Sequence, residues 1–246
     1  MSETVVLLPW WPLSATVFAS LPFYRSALDV FEKQLDVSVA DLPWVRGEGP
    51  RRATPRSIDE LSKSFASYTV ADAHVLAMGG TGIFFILGTA QEPPKVKSLV
   101  FDSFPVPPAT LGALGMSGLA DIAAVALRVE PGTLRDFMPM AIPGGGPDAH
   151  AELAARIKPT IEWEHLSEAF RLALDVDLTE LNTALPARTL FLDNPVSFPG
   201  LLDKKMARRL FPGVEVQTRE ASDVMDRDKG ARFAEQVLDF VSGRSR

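Results

Sequence analysis

The chain contains no cysteine. Disulfides, thiolate metal sites and cysteine nucleophiles are therefore excluded. Histidine is scarce: His74, His150 and His165 are the only three. No two of them stand at the His-x-x-x-His spacing of a helical zinc site, so no metal or other cofactor is expected. No apolar run is long enough to span a bilayer. The first residues lack the charged start and cleavage site of a signal peptide, so a cytoplasmic location is expected. Positive charge is also in deficit. Lysine and arginine number 25 against 31 aspartates and glutamates, a formal net charge of −6, which argues against nucleic acid or an anionic membrane as partner. Arg51, Arg52 and Arg56 form a local basic cluster interspersed with Pro50 and Pro55, and it reads as a solvated loop.

What is present suits a globular α/β protein. At 246 residues the chain can hold one large domain or a core with an insertion. Short apolar runs alternate with helical patterns, which predicts βα units and a mostly parallel sheet. Strands are expected at 5–8, 37–40, 74–78, 96–101, 189–192 and 214–218. Helical periodicity covers about 21–35. Ser57-Ile58-Asp59-Glu60 is a capping box opening a helix to about Thr69. Further helices are expected at about 80–90 and 199–210. A last helix carries Phe233, Val237, Phe240 and Val241 on one face. The alternation breaks over 103–185, a stretch rich in Pro, Gly and Met that reads as helices and loops. There are no internal repeats.

The most informative stretch is Ala77-Met78-Gly79-Gly80-Thr81-Gly82, directly after a buried-looking strand. It resembles the strand-to-helix turn on which an α/β-hydrolase carries its nucleophile, normally Gly-x-Ser-x-Gly. Three other stretches resemble the same family. Val5 to Pro12 is similar to the strand and oxyanion loop, with Pro9-Trp10 where His-Gly is usual. Val39 to Pro43, then Gly47 and Ser57 to Leu61, is similar to the next strand, loop and helix. Asp177 to Leu181, before Pro186 and Thr189 to Leu192, is similar to the end of a cap domain leading into the penultimate strand. Counting on from Gly79 without a gap reaches Pro93, Val96 and Leu99 to Asp102 at the family's spacing. The resemblance implies an α/β-hydrolase fold: a mostly parallel sheet flanked by helices, the core at 1–102 and 186–246, and a helical cap at 103–185. The two antiparallel strands that usually come first are not expected in this chain.

The same resemblance places Gly79 at the nucleophile position, where no side chain is available for covalent catalysis. It places Asp223 at the position of the histidine, and no histidine lies beyond His165. Asp193 ends the strand after which the family's acid usually follows. Thr81 becomes a nucleophile only if the register shifts by two residues, which loses the match to Pro93 and Val96. The implied pocket is lined by Trp10, Trp11, Met78, Gly79, Gly80 and Asn194, with Phe137, Met138 and Met140 as cap-side candidates. Such residues equally serve ordinary packing. His74 opens a buried strand, where a structural role is expected; His150 and His165, in the implied cap, read as residues on solvated helix faces. Asp223 is an acid–base candidate or a loop carboxylate at the final helix. The Gly80 amide and one from the Trp10-Trp11 turn are candidate donors to a carbonyl.

Three functions stay open. One is a lyase, cyclase or isomerase acting on an apolar carbonyl-bearing small molecule in specialised metabolism. Another is an inactive pseudo-hydrolase that binds a ligand or a partner protein. The third is a hydrolase with displaced catalytic residues. Homo-oligomerisation is left open.

Overall fold

The computed structural model of the chain describes residues 3–47, 54–68, 71–91, 96–128, 130–137, 146–180, 185, 188–193, 203–219 and 223–244. Six parallel strands form one sheet: β1 (Glu3–Leu8), β2 (Leu35–Val39), β3 (His74–Met78), β4 (Ser98–Asp102), β5 (Thr189–Asp193) and β6 (Glu215–Thr218). Their order across the sheet is β2-β1-β3-β4-β5-β6. The two central strands, His-Val-Leu-Ala-Met and Ser-Leu-Val-Phe-Asp, are buried along their whole length. That is the signature of strands covered on both faces, and it explains continuous apolar runs rather than alternation. The edge strand β2 alternates between half-buried and exposed residues.

Before β3 the chain forms α1 (Ala15–Ser20), α2 (Pro22–Phe31) and α3 (Ile58–Ala66). The periodic stretch from 21 is thus one helix preceded by a shorter one. Pro22 starts α2 at a position where a missing amide costs nothing. Ser57 caps α3 by accepting from the Glu60 amide at 3.3 Å, while the Glu60 carboxylate accepts from the Arg56 amide at 2.8 Å. After β3 comes α4 (Thr81–Gln91). Its residues from Thr81 to Leu87 are all buried, as expected of a helix that is apolar all round.

Between β4 and β5 the described chain is helical: α5 (Pro108–Ala113), α6 (Ser117–Leu127), α7 (Pro131–Phe137), α8 (Pro147–Ile157), a 3-10 turn at Lys158–Thr160, and α9 (Trp163–Leu174). This insert is stitched to the core. Val45 and Ile161 form an antiparallel bridge, the Arg46 amide donates to the Thr160 carbonyl, and the Glu162 amide donates to the Trp44 carbonyl. The last helices are α10 (Lys204–Leu210), capped by Asp203, and α11 (Arg227–Val241), capped by Asp226. Helix α11 packs on α2, with Phe23 and Phe233 rings 5.5 Å apart. Gly230 permits the close approach, because a Cβ there would overlap the Phe23 carbonyl.

Successive residues of β4 face opposite sides of the sheet. Phe101 points to the α4 side, where it meets Phe104 and Phe191. Asp102 points to the side of α2 and α11.

Candidate functional site

Strand order reverses between β1 and β3: β1 leads to β2 on one side, and β3 follows on the other. In an open parallel sheet the crevice beyond the carboxyl ends at such a reversal is where ligands bind. Two turns meet there, one from Pro9 to Leu13 after β1 and one at Gly79-Gly80 after β3. Gly79 has φ +58°, a left-handed backbone that suits glycine. Its amide donates to the Asp102 carbonyl at 2.7 Å, and its carbonyl accepts from Gly82 at 3.1 Å. Thr81 starts α4 fully buried, and its hydroxyl donates to the Met78 carbonyl at 2.6 Å. Met78 is buried beside Asp102 on the neighbouring strand.

Both indoles lie against this turn. A Cβ on Gly79 would overlap Cδ1 and Nε1 of Trp10 and stand 3.0 Å from Nε1 of Trp11. A Cβ on Gly80 would overlap Nε1, Cε2 and Cζ2 of Trp11. Position 79 therefore has neither a side chain nor room for one. Trp11 is 6% exposed and packs edge-on against Phe170 of α9, ring centroids 4.0 Å apart. The Trp44 indole donates to the Trp11 carbonyl at 2.6 Å, which holds the turn from the other side. The Nε1–H of Trp11 is buried without a hydrogen-bond partner. An unmet buried donor costs about 1–3 kcal/mol, so this one favours any acceptor brought to the turn.

Asp223 is half-buried between β6 and α11. Its carboxylate accepts from the Met225 amide at 3.0 Å and its carbonyl from the Asp226 amide at 2.9 Å. The next residue, Val224, binds α2 through the Phe23 amide at 3.0 Å. The structure thus brings Trp10, Trp11, Met78, Gly79 and Gly80 together and sets Asp223 in a turn of its own. Asn194, Met138 and Met140 lie outside the described residues, as do Arg51 and Arg52.

The whole architecture has solved counterparts. An esterase from Exiguobacterium antarcticum superposes with TM-score 0.72 at 12% identity, over 98% of this chain and 93% of that one. A thermophilic esterase from Thermogutta terrifontis gives 0.70 at 14% identity, over 100% and 92%. The enol-lactonase of Burkholderia xenovorans LB400 gives 0.61 at 12% identity, over 98% and 92%. The chain has the α/β-hydrolase fold. No family model matches it, and no curated protein matches it by sequence. At these identities the likeness is one of fold.

Within this hydrolase fold, sequence reading missed the most heavily charged point of the site. Asp102 ends β4 and Arg219 follows β6. They form a buried ion pair, with Arg219 Nη2 3.0 Å from Asp102 Oδ2 and Nε bonded to Oδ1. Ser103, at φ +52°, donates to Asp102 Oδ1 and accepts from Arg219 Nη2, each at 3.2 Å. The signal was a charged residue at the end of each strand, Asp102 closing Ser98-Leu99-Val100-Phe101 and Arg219 directly after Glu215-Val216-Gln217-Thr218. Neighbouring Asp193 is held above the usual carboxylate pKa, first by burial and then by the charge of Asp203. Burial, joined by the charge of Asp102, likewise pushes the Tyr24 phenol up, with Arg219 opposing.

The other histidines lie elsewhere. His165, expected on a solvated face, is instead buried on the inner side of α9, where it lines a small cavity with Trp44, Leu61 and Ser64. His150 lies on α8. His74 stands at the opposite end of the sheet, its Nδ1 2.7 Å from Ser98 Oγ and its Nε2 3.2 Å from Glu3 Oε2. A cavity of about 730 Å³ opens within the insert, lined by Arg46, Arg135, Asp136, Lys158, Trp163 and Glu164 among others. No residue of the Gly79 turn lines it. Among the described residues no cluster of His, Asp and Glu is arranged to hold a metal. No described helix is long and apolar enough to cross a membrane.

Proposed function

We propose that this is an α/β-hydrolase-fold protein without a Ser-His-Asp triad, which binds an apolar, acceptor-bearing small molecule and forms no acyl-enzyme. The supporting observation is the seating of Trp10 and Trp11 in the space that a side chain at 79 would need. An attacking group there would have to displace two indoles, one of them packed edge-on against Phe170 with its backbone carbonyl held by Trp44. Helices over 103–185 act as the cap that holds these rings down. The ligand's acceptor meets the Trp11 Nε1–H, and its apolar body rests on Trp10, the more exposed ring. A carbonyl compound fits this description.

A serine-directed fluorophosphonate probe tests the absence of an activated serine: no labelling is expected, and stoichiometric labelling at one serine would defeat the reading. Mass spectrometry of small molecules that co-purify with the protein identifies the ligand class. Trp10→Ala and Trp11→Ala should each weaken binding of whatever is recovered.

A second reading is non-hydrolytic turnover, as in a lyase, cyclase or isomerase. The unmet Trp11 donor favours it, because a donor aimed at a carbonyl polarises it as well as holding it. Asp223 would be its acid or base. Under this reading Asp223→Ala abolishes conversion of the recovered compound while binding survives. Under the binding reading no conversion occurs and Asp223→Ala has no turnover to lose.

A further inference from the structure

Arg219 and Asp102 are 117 residues apart in sequence, and the whole of β5 lies between their strands. The guanidinium reaches across the end of β5 and grips both carboxylate oxygens. On the way, the Arg219 amide donates to the Asp193 carbonyl at 3.0 Å, which extends the ladder by one residue. The two side chains are only 5% and 7% exposed. A forked guanidinium–carboxylate pair is the arrangement that tolerates such burial, since it meets both charges with directed hydrogen bonds. The ring of Phe233 stands 5.5 Å from the guanidinium carbon and closes the other face.

Asp102 also reaches the elbow. Its carbonyl accepts the Gly79 amide at 2.7 Å, the contact that fixes the left-handed residue facing both indoles. On its other flank Ser103 adopts an unfavourable positive φ, and its hydroxyl bonds both members of the ion pair. A non-glycine residue in that region persists only where its surroundings hold it there. One continuous path therefore runs from Arg219 through Asp102 to Gly79, and through Gly79 to the seat of Trp10 and Trp11.

We infer that Arg219 is a positioning residue for the elbow: by clamping Asp102 at the end of β4 it sets the Gly79 backbone and the seat of the paired indoles. The inference holds whether or not the protein turns a ligand over. It also gives the last strand's end a definite task. Where the hydrolase-fold resemblance expects a histidine beyond that strand, the first residue is an arginine.

Nuclear magnetic resonance of the full chain tests this. Arg219→Lys keeps the charge and loses the fork; Asp102→Asn keeps the shape and loses the charge. In either variant the Gly79 amide should exchange faster by on the order of tenfold relative to the amides of β1. The indole N–H signals of Trp10 and Trp11 should shift while that of Trp163 stays. A merely structural role would speed exchange evenly across the sheet and leave the folded-state indole signals in place, and that result overturns the inference. Should neither variant fold, native-state exchange of the unmodified chain decides. The Gly79 amide and the Arg219 Nε–H must then open with one shared free energy. Exchange at Gly79 while Arg219 Nε–H stays protected overturns the inference.

Discussion

At the amino end of the sheet Ser98, His74 and Glu3 stand in a hydrogen-bonded row across three adjacent strands. At the carboxyl end the same strands deliver a glycine, two indoles and Asp102, which Arg219 joins from beyond β6. The first end has the residue types of a nucleophile, a base and an orienting acid, but Ser98 is 0% exposed and His74 2%. No substrate carbon can reach that serine. The second end has the strand-to-helix turn of the fold, with Trp10 and Trp11 packed against it. Residue identity and access thus lie at opposite ends of the sheet. Catalysis needs the two together, because a polarised hydroxyl without a bound electrophile is only a hydrogen bond.

The largest way to break the contrast is at the carboxyl end. Arg219→Met leaves Asp102 buried and unpaired, and should cost about 3–5 kcal/mol, read from a denaturant midpoint. Trp11→Ala should cost a similar ~3–5 kcal/mol, because it opens a hole against Phe170 as well as removing buried area. Gly79→Ser is the next step down. Positive φ and ring overlap together should cost about 2–4 kcal/mol. The variant should still hydrolyse no p-nitrophenyl ester; measurable ester cleavage would show that the indoles yield easily.

At the amino end the effects are smaller and pH-dependent. Burial holds the His74 pKa below its ordinary value, opposed by Glu3 and assisted by the charges of Lys97 and Arg188. A lowered value means that the folded state prefers the neutral ring. The stability this contributes is present above the unfolded value of about 6.5 and is lost as pH falls through the lower folded value. His74→Gln should flatten that part of the stability–pH curve while costing about 1–3 kcal/mol at neutral pH through the unpaired Ser98 hydroxyl. A curve of unchanged shape would remove His74 from the account. Glu3→Gln, at an exposed pair with Lys97, should move stability by less than about 1 kcal/mol.

Much of this fold was legible in the chain. The central strands are unbroken apolar runs, and the glycines after β3 announce a sharp turn, because few other residues take that backbone. The resemblance then oriented the sheet correctly. Boundaries were harder. β2 begins at Leu35, and the helical stretch before it divides at Leu21-Pro22, where a proline can begin a helix as readily as end one. The site was legible as a place and opaque as a geometry. Trp10 and Trp11 were expected beside Gly79, but whether two rings line a hollow or fill it depends on Phe170 and Trp44, which arrive from distant segments. The Asp102–Arg219 pair was invisible for the same reason: only the order of β4, β5 and β6 makes the two charges neighbours. Asp223 was picked out by its position in the chain alone, and a backbone amide two residues on holds its carboxylate.

The filled turn also limits what this lineage can become. A change at position 79 alone meets Trp10, and one at position 80 meets Trp11, so a side chain at either position has to displace an indole. At least one ring has to shrink first, and that step loosens the core before any new chemistry can reward it. Descendants of this chain that keep both tryptophans are therefore held to a bare turn after β3, by the route rather than by the destination.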